Sequence, residues 1–111
     1  MMKHEEWIIK YKELMDDRQL AVCANAKKLP SGDFGLCYLF LKDNFLNVYD
    51  TDMKGNIFEL MYSINLKEIS DVKSSYFIFN PYLKFNYDNF TFKFADFGNA
   101  KKFLSELNKS L

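Results

Sequence analysis

Residues 90–107 read FTFKFADFGNAKKFLSEL, and within this stretch the apolar period changes from two to about 3.6. Phe90, Phe92 and Phe94 alternate with Thr91 and Lys93, the cleanest strand period in the chain, with one buried and one wet face. Asp96, Gly98 and Asn99 then offer helix-capping chemistry. Beyond them Ala100, Phe103, Leu104, Leu107 and Leu111 trace a helical stripe, with Lys101, Lys102, Glu106 and Lys109 on the other side. A strand that hands over directly to an amphipathic helix implies an α+β domain whose last helix caps a sheet.

Upstream of residue 90 the chain reads as further short strands. Runs of β-branched and aromatic residues separated by Gly, Pro, Asn and Asp predict strands at 20–27, 36–42, 45–50, 57–64 and 69–73. A sixth strand joins 76–79 to 82–86 around Asn80-Pro81, since Pro lacks the amide a central ladder needs. Residues 90–94 are the seventh. Asp43-Asn44 and Tyr87-Asp88-Asn89 are tight turns, and Gly55-Asn56 suits positive φ. In LKEISDVK (66–73), Leu66, Ile69 and Val72 are three apart, which fits one helical turn or a bent strand; we read a bend leading into the fifth strand.

At the N-terminus Trp7, Ile8, Tyr11, Leu14 and Met15 recur at helical spacing, predicting an amphipathic helix over 4–17. The expected organisation is this helix, within residues 1–19, packed on a domain of residues 20–111. Short loops between consecutive strands imply antiparallel pairing, and closure into a barrel is the safest way to protect the sheet edges.

The 111 residues suffice for one core and leave no room for a second domain. Fifteen cations, of which fourteen are Lys, balance fifteen acids, so no global field steers the chain to nucleic acid or an anionic membrane. Nucleic acid is therefore not expected as a partner. The Lys and Asn usage resembles that of an AT-rich, bacterial genome. Glu5 and Glu6 stand where a secretory signal would be apolar, so a cytoplasmic protein is expected. Cys23 and Cys37 are expected as free thiols, although pairing of their strands would set them diagonally on one sheet face, open to a redox pair.

His4 is the only histidine, and no nucleotide-binding or nucleophile-elbow motif occurs. Asp43, Asp50 and Asp52 would bring acids towards neighbouring loops, but DTDMKGN lacks the later ligands of a calcium loop. No catalytic residue, metal or cofactor is assigned, and an enzyme is not expected.

The second and fourth strands are apolar on both faces. Leu36, Tyr38 and Phe40 share one face while Cys37, Leu39 and Leu41 share the other, and Ile57, Phe58, Leu60, Met61, Tyr62 and Ile64 populate both. The outer face needs a cover, either the N-terminal helix through Trp7, Ile8 and Leu14 or a second subunit. Trp7, Leu39, Leu41 and Met61 are the candidate interface residues.

The order of elements, the segment INLKEISDV (64–72) and FTFKFADFGNAKKFLSEL together resemble the pleckstrin-homology superfold, and most closely its small bacterial PH-like and GRAM-like domains. The resemblance covers about residues 20–111. It implies two roughly orthogonal antiparallel sheets with a helix plugging one corner, and a module that binds lipid headgroups, peptides or copies of itself. In headgroup-binding relatives, basic residues late in the first strand and along the second converge on the loop between them. Lys27 and Lys28 match the first group, but GLCYLFL has no cation before Lys42. The expected function is a non-catalytic interaction module acting through protein contact or self-association. The alternative is peripheral membrane contact, with Lys27, Lys28 and Lys42 on a lipid headgroup.

Overall fold

The computed structural model describes residues 4–52, 56–75, 81–98 and 100–111. Seven strands follow a short N-terminal helix: α1 (His4–Tyr11), β1 (Ala21–Lys28), β2 (Gly35–Lys42), β3 (Phe45–Thr51), β4 (Ile57–Asn65), β5 (Ser70–Ser75), β6 (Tyr82–Tyr87) and β7 (Phe90–Ala95), then α2 (Ala100–Lys109). All described pairings are antiparallel, in the order β4-β3-β2-β1-β7-β6-β5. The chain is an α+β domain made mostly of sheet. Among the described residues no helix is long and apolar enough to cross a membrane.

Two hairpins are set by the same local chemistry. Asp43 and Asn44 sit at φ 52° and 66°, and Asp88 and Asn89 at 51° and 66°, so each pair forms a two-residue turn with both residues left-handed. That turn twists in the sense the strands need, and Asp and Asn tolerate it because their side chains bond locally. Lys42 therefore faces Phe45, and Tyr87 faces Phe90.

Where the sequence reads as a bend rather than a helical turn, residues Leu66–Glu68 form a 3-10 turn, capped by the Asn65 side chain, which accepts from the Lys67 amide at 3.0 Å. Asp71, at φ 52°, marks a bulge where β5 slips against β6. The expected strand piece 76–79, Gly55 of the β3–β4 loop and Asn99 of the helix cap lie outside the described residues. Asp96 Oδ2 accepts from Asn25 Nδ2 at 3.2 Å and meets Lys27 Nζ at 3.4 Å.

The ladder is open, with β4 and β5 as its two ends, so the barrel expected from the sequence is not closed by hydrogen bonds. The sheet nevertheless folds over itself. Tyr62 on β4 meets Phe92 on β7 edge-to-face, with ring centroids 5.2 Å apart. In a flat sheet strands four places apart would be separated by roughly 19 Å. Bulges between Ala26 and Lys28 and around Tyr49 supply local twist for such a bend.

Inside the fold Val22, Leu39, Leu41, Leu46, Val48, Ile64, Leu83, Phe85, Phe92 and Phe94 make one core with Phe103, Leu104 and Leu107 of α2. The chain at both ends of the helix is tied, to β1 and to the turn before it. Gly98 N donates to Cys23 O at 3.0 Å, and Arg18 Nη1 donates to Ser110 Oγ at 2.8 Å.

The helix predicted for 4–17 ends early, at Tyr11, and gives way to a 3-10 turn, Lys12–Leu14, with Met15 extended. The competing interaction is with the end of β2: Asp16 N donates to Leu41 O at 3.2 Å, and Leu41 N donates to Leu20 O at 3.2 Å. Leaving the helix also drops Met15 and Leu14 onto Phe40.

Candidate interaction surface

β2 separates its two apolar faces as the alternation requires. Cys37, Leu39 and Leu41 point into the main core, whereas Phe40 joins a second cluster on the outer face with Met15, Tyr11, Leu14, Tyr38, Tyr49 and Ile57. Phe40 is fully buried there, with Tyr49 edge-on at 5.3 Å and Tyr38 tilted at 6.3 Å. Burial pushes the Tyr38 and Tyr49 phenols above their ordinary range. The segment after α1 is thus a cover for the outer face of β2. The Trp7 and Ile8 side chains lie outside the described set.

Leu39 and Leu41, expected at an interface, are completely buried core residues. Alternation correctly splits β2 into two faces but does not say which is inner. Met61 sits at the β3–β4 irregularity, half-buried, and lines a cavity of about 280 Å³ with Leu29, Phe34, Leu36, Asp33 and Asp50. Asp43 lies at the β2–β3 turn, at the far end of β3 from Asp50, so the three acids do not converge.

The outer apolar face continues past its cover. Leu60 pairs with Tyr49 across β3–β4 and is 48% exposed, on a strand that ends the ladder. In α1, Ile9 is 70% exposed. Apolar surface of this kind on a sheet edge is where a second polypeptide gains most by pairing.

The three lysines expected to clamp an anion are not brought together. Lys27 and Lys28 end β1, but Lys42 ends β2, so antiparallel pairing puts it at the opposite end of the hairpin. Lys42 Nζ donates to Glu13 O at 2.6 Å, and Lys27 is paired with Asp96.

A different cationic feature appears instead. Lys28 of β1 faces Lys93 of β7, Lys93 faces Lys84 of β6, and Lys84 faces Lys73 of β5. All four are exposed, on the side of the sheet away from Leu83, Phe85, Phe92 and Phe94. Sequence reasoning missed this row, although the two-residue turn at Asp88-Asn89 already dictates that Lys84 meets Lys93.

The cysteines are also resolved by register. Cys23 faces Tyr38 while Ala24 faces Cys37, so the two thiols occupy adjacent rungs and point to opposite faces. They are not diagonal neighbours on one face, and both are free. Burial pushes the Cys37 thiol up to about 12 and raises Cys23 as well, which suppresses the thiolate needed for nucleophilic chemistry.

A second, polar cavity of about 460 Å³ lies by the β6–β7 turn, lined by Glu68, Ser70, Asn86, Tyr87, Asp88, Asn89 and Thr91. Among the described residues no three His, Cys, Asp or Glu side chains are grouped to hold a metal ion.

Fold and surface together define a small antiparallel-sheet α+β domain with a C-terminal helix in its core and an apolar outer patch on one sheet edge. No family model matches the chain, and neither a curated protein nor a solved structure does.

Proposed function

We propose that this chain is a non-catalytic, PH-like interaction module that works through protein contact, by self-association in the first instance. The strand order, with four consecutive strands on one side of the β1–β7 junction and three on the other, supports the PH-like reading, as does the helix packed into the core. The observation that carries the functional reading is the outer face of β2–β4, where a buried aromatic cluster around Phe40 runs on to the exposed Leu60 of an end strand. Antiparallel pairing of β4 with β4 of a second copy would cover Leu60 and extend the ladder, an isologous contact of the commonest symmetric kind.

Light scattering over a concentration series tests this. The wild type is expected to exceed the mass of one chain, and Leu60→Glu to return it to a monomer with its circular dichroism unchanged. A wild type that stays monomeric throughout would overturn self-association. Sedimentation with anionic vesicles that is abolished by Lys27→Glu/Lys28→Glu would favour headgroup binding instead. The far placement of Lys42 speaks against that alternative.

A further inference from the structure

Lys28, Lys93, Lys84 and Lys73 form a row of directly opposed like charges across four adjacent strands. Like charges placed opposite one another cost stability, so the fold gains nothing from this arrangement by itself. The nearby acids are engaged elsewhere. Asp71 accepts from Asn86 Nδ2 at 2.9 Å, and Asp96 takes Lys27 and Asn25. Among the described residues none of the four lysines of the row has an ion pair. In a chain whose formal charge is zero, this is a local concentration of cations rather than a reflection of net charge.

We propose that the outer face of β1-β7-β6-β5 docks an extended acidic polypeptide segment lying across the strands along this lysine row. The proposal rests on the protein-contact reading above and specifies the chemistry of a partner. Strand spacing makes the row about 14 Å long. An extended segment places same-side residues about 6.7 Å apart, so three alternate carboxylates span about 13 Å. The flanking residues are hydrogen-bonding ones: Asn25 beside Lys28, Thr91 beside Lys93 and Asn86 beside Lys84. Tyr82 is the only aromatic residue among the described residues on this side of β5–β7, which offers little for stacking nucleobases. Among the described residues no large apolar side chain stands beside the row to enter a bilayer, since Leu83, Phe85, Phe92 and Phe94 all point inward.

The test is fluorescence anisotropy of a labelled peptide of alternating Glu and Ser against the full chain. Single-stranded oligothymidylate and phosphatidylserine vesicles serve as rival probes. At low salt the peptide is expected to bind, and binding should fall at least about tenfold when salt is raised to screen the charges. Lys28→Glu/Lys84→Glu turns the row into alternating signs and should weaken the peptide by a similar factor while the circular dichroism stays unchanged. Lys28→Gln/Lys84→Gln gives the same comparison without introducing acids. No peptide binding at low salt, binding indifferent to both variants, or tighter variant-sensitive binding of the oligonucleotide or vesicles would each overturn the proposal. Light scattering separates it from the reading it rests on. In the wild type, no peptide binding with Leu60-dependent self-association intact sinks this inference alone, whereas absence of both sinks both.

Discussion

Lys84 and Lys93 stand directly opposite each other in the β6–β7 ladder, with Lys73 continuing the row on β5. Neighbouring strands are only about 4.8 Å apart, and like charges directly opposite one another are destabilising. Lys84→Glu would place an acid between two lysines. It is expected to stabilise the domain by a few tenths of a kcal/mol, up to about 1. Thermal melting at low salt checks the sign, and the gain should shrink as salt is added. The same change is expected to weaken acidic-peptide binding, so stability and binding should move in opposite directions.

Tyr62 and Phe92 hold the folded-over sheet together, and the hydroxyl of Tyr62 also accepts from Ser31 N at 3.2 Å. Phe92→Ala removes a nearly buried ring and should cost about 3–5 kcal/mol in denaturant unfolding. Tyr62→Phe keeps the ring contact and loses only a solvent-accessible hydrogen bond, so its cost should stay below about 1 kcal/mol. Equal losses from the two changes would contradict ring packing as the source of the bend.

Asp16 and Arg18 clamp the turn that follows the N-terminal cover, through bonds from Arg18 N and Nε of 2.9 Å each. Burial alone would raise the Asp16 carboxyl, but the Arg18 side-chain and backbone hydrogen bonds outweigh it and hold the group below its usual range. A depressed carboxyl contributes stability that is complete above the unfolded value of about 3.9 and is lost as pH falls through the folded value. Asp16→Asn should therefore be less stable than wild type at neutral pH, with the difference shrinking in acid. A pH series of chemical unfolding measures it.

Cys37 is sealed in the core and Cys23 is half-exposed on the other face. Iodoacetamide at mildly alkaline pH should modify Cys23 slowly and leave Cys37 untouched until the protein unfolds. Mild oxidants should form no intramolecular disulfide, which mass spectrometry under native conditions would detect.

The elements themselves were largely legible in the chain. Strand and helix periods, and turns such as Asp43-Asn44 and Asp88-Asn89, are local chemistry, and the observed bounds of β2, β3 and β7 lie within one residue of those expected. The N-terminal apolar stripe runs on through Met15 and so predicts a longer helix, whereas backbone bonds to the end of β2 take the chain out of helix after Tyr11. The site was less legible. Alternation puts Leu39 and Leu41 on one face of β2 without saying that this face is the core, and the resemblance groups Lys42 with Lys27 and Lys28 without saying that β2 carries it to the opposite end of the hairpin, since each needs a direction across or along the sheet.

Sequence by itself determined an antiparallel α+β domain with a helix-capped core and an outer β2 face that required a cover, because periodicity and turn chemistry act over a few residues. Tertiary structure decided which face of β2 is inner, that the thiols point apart, and that four lysines from four strands meet in one row. Those outcomes depend on register between strands and on what packs over each face, and both are set by contacts between residues far apart in the chain.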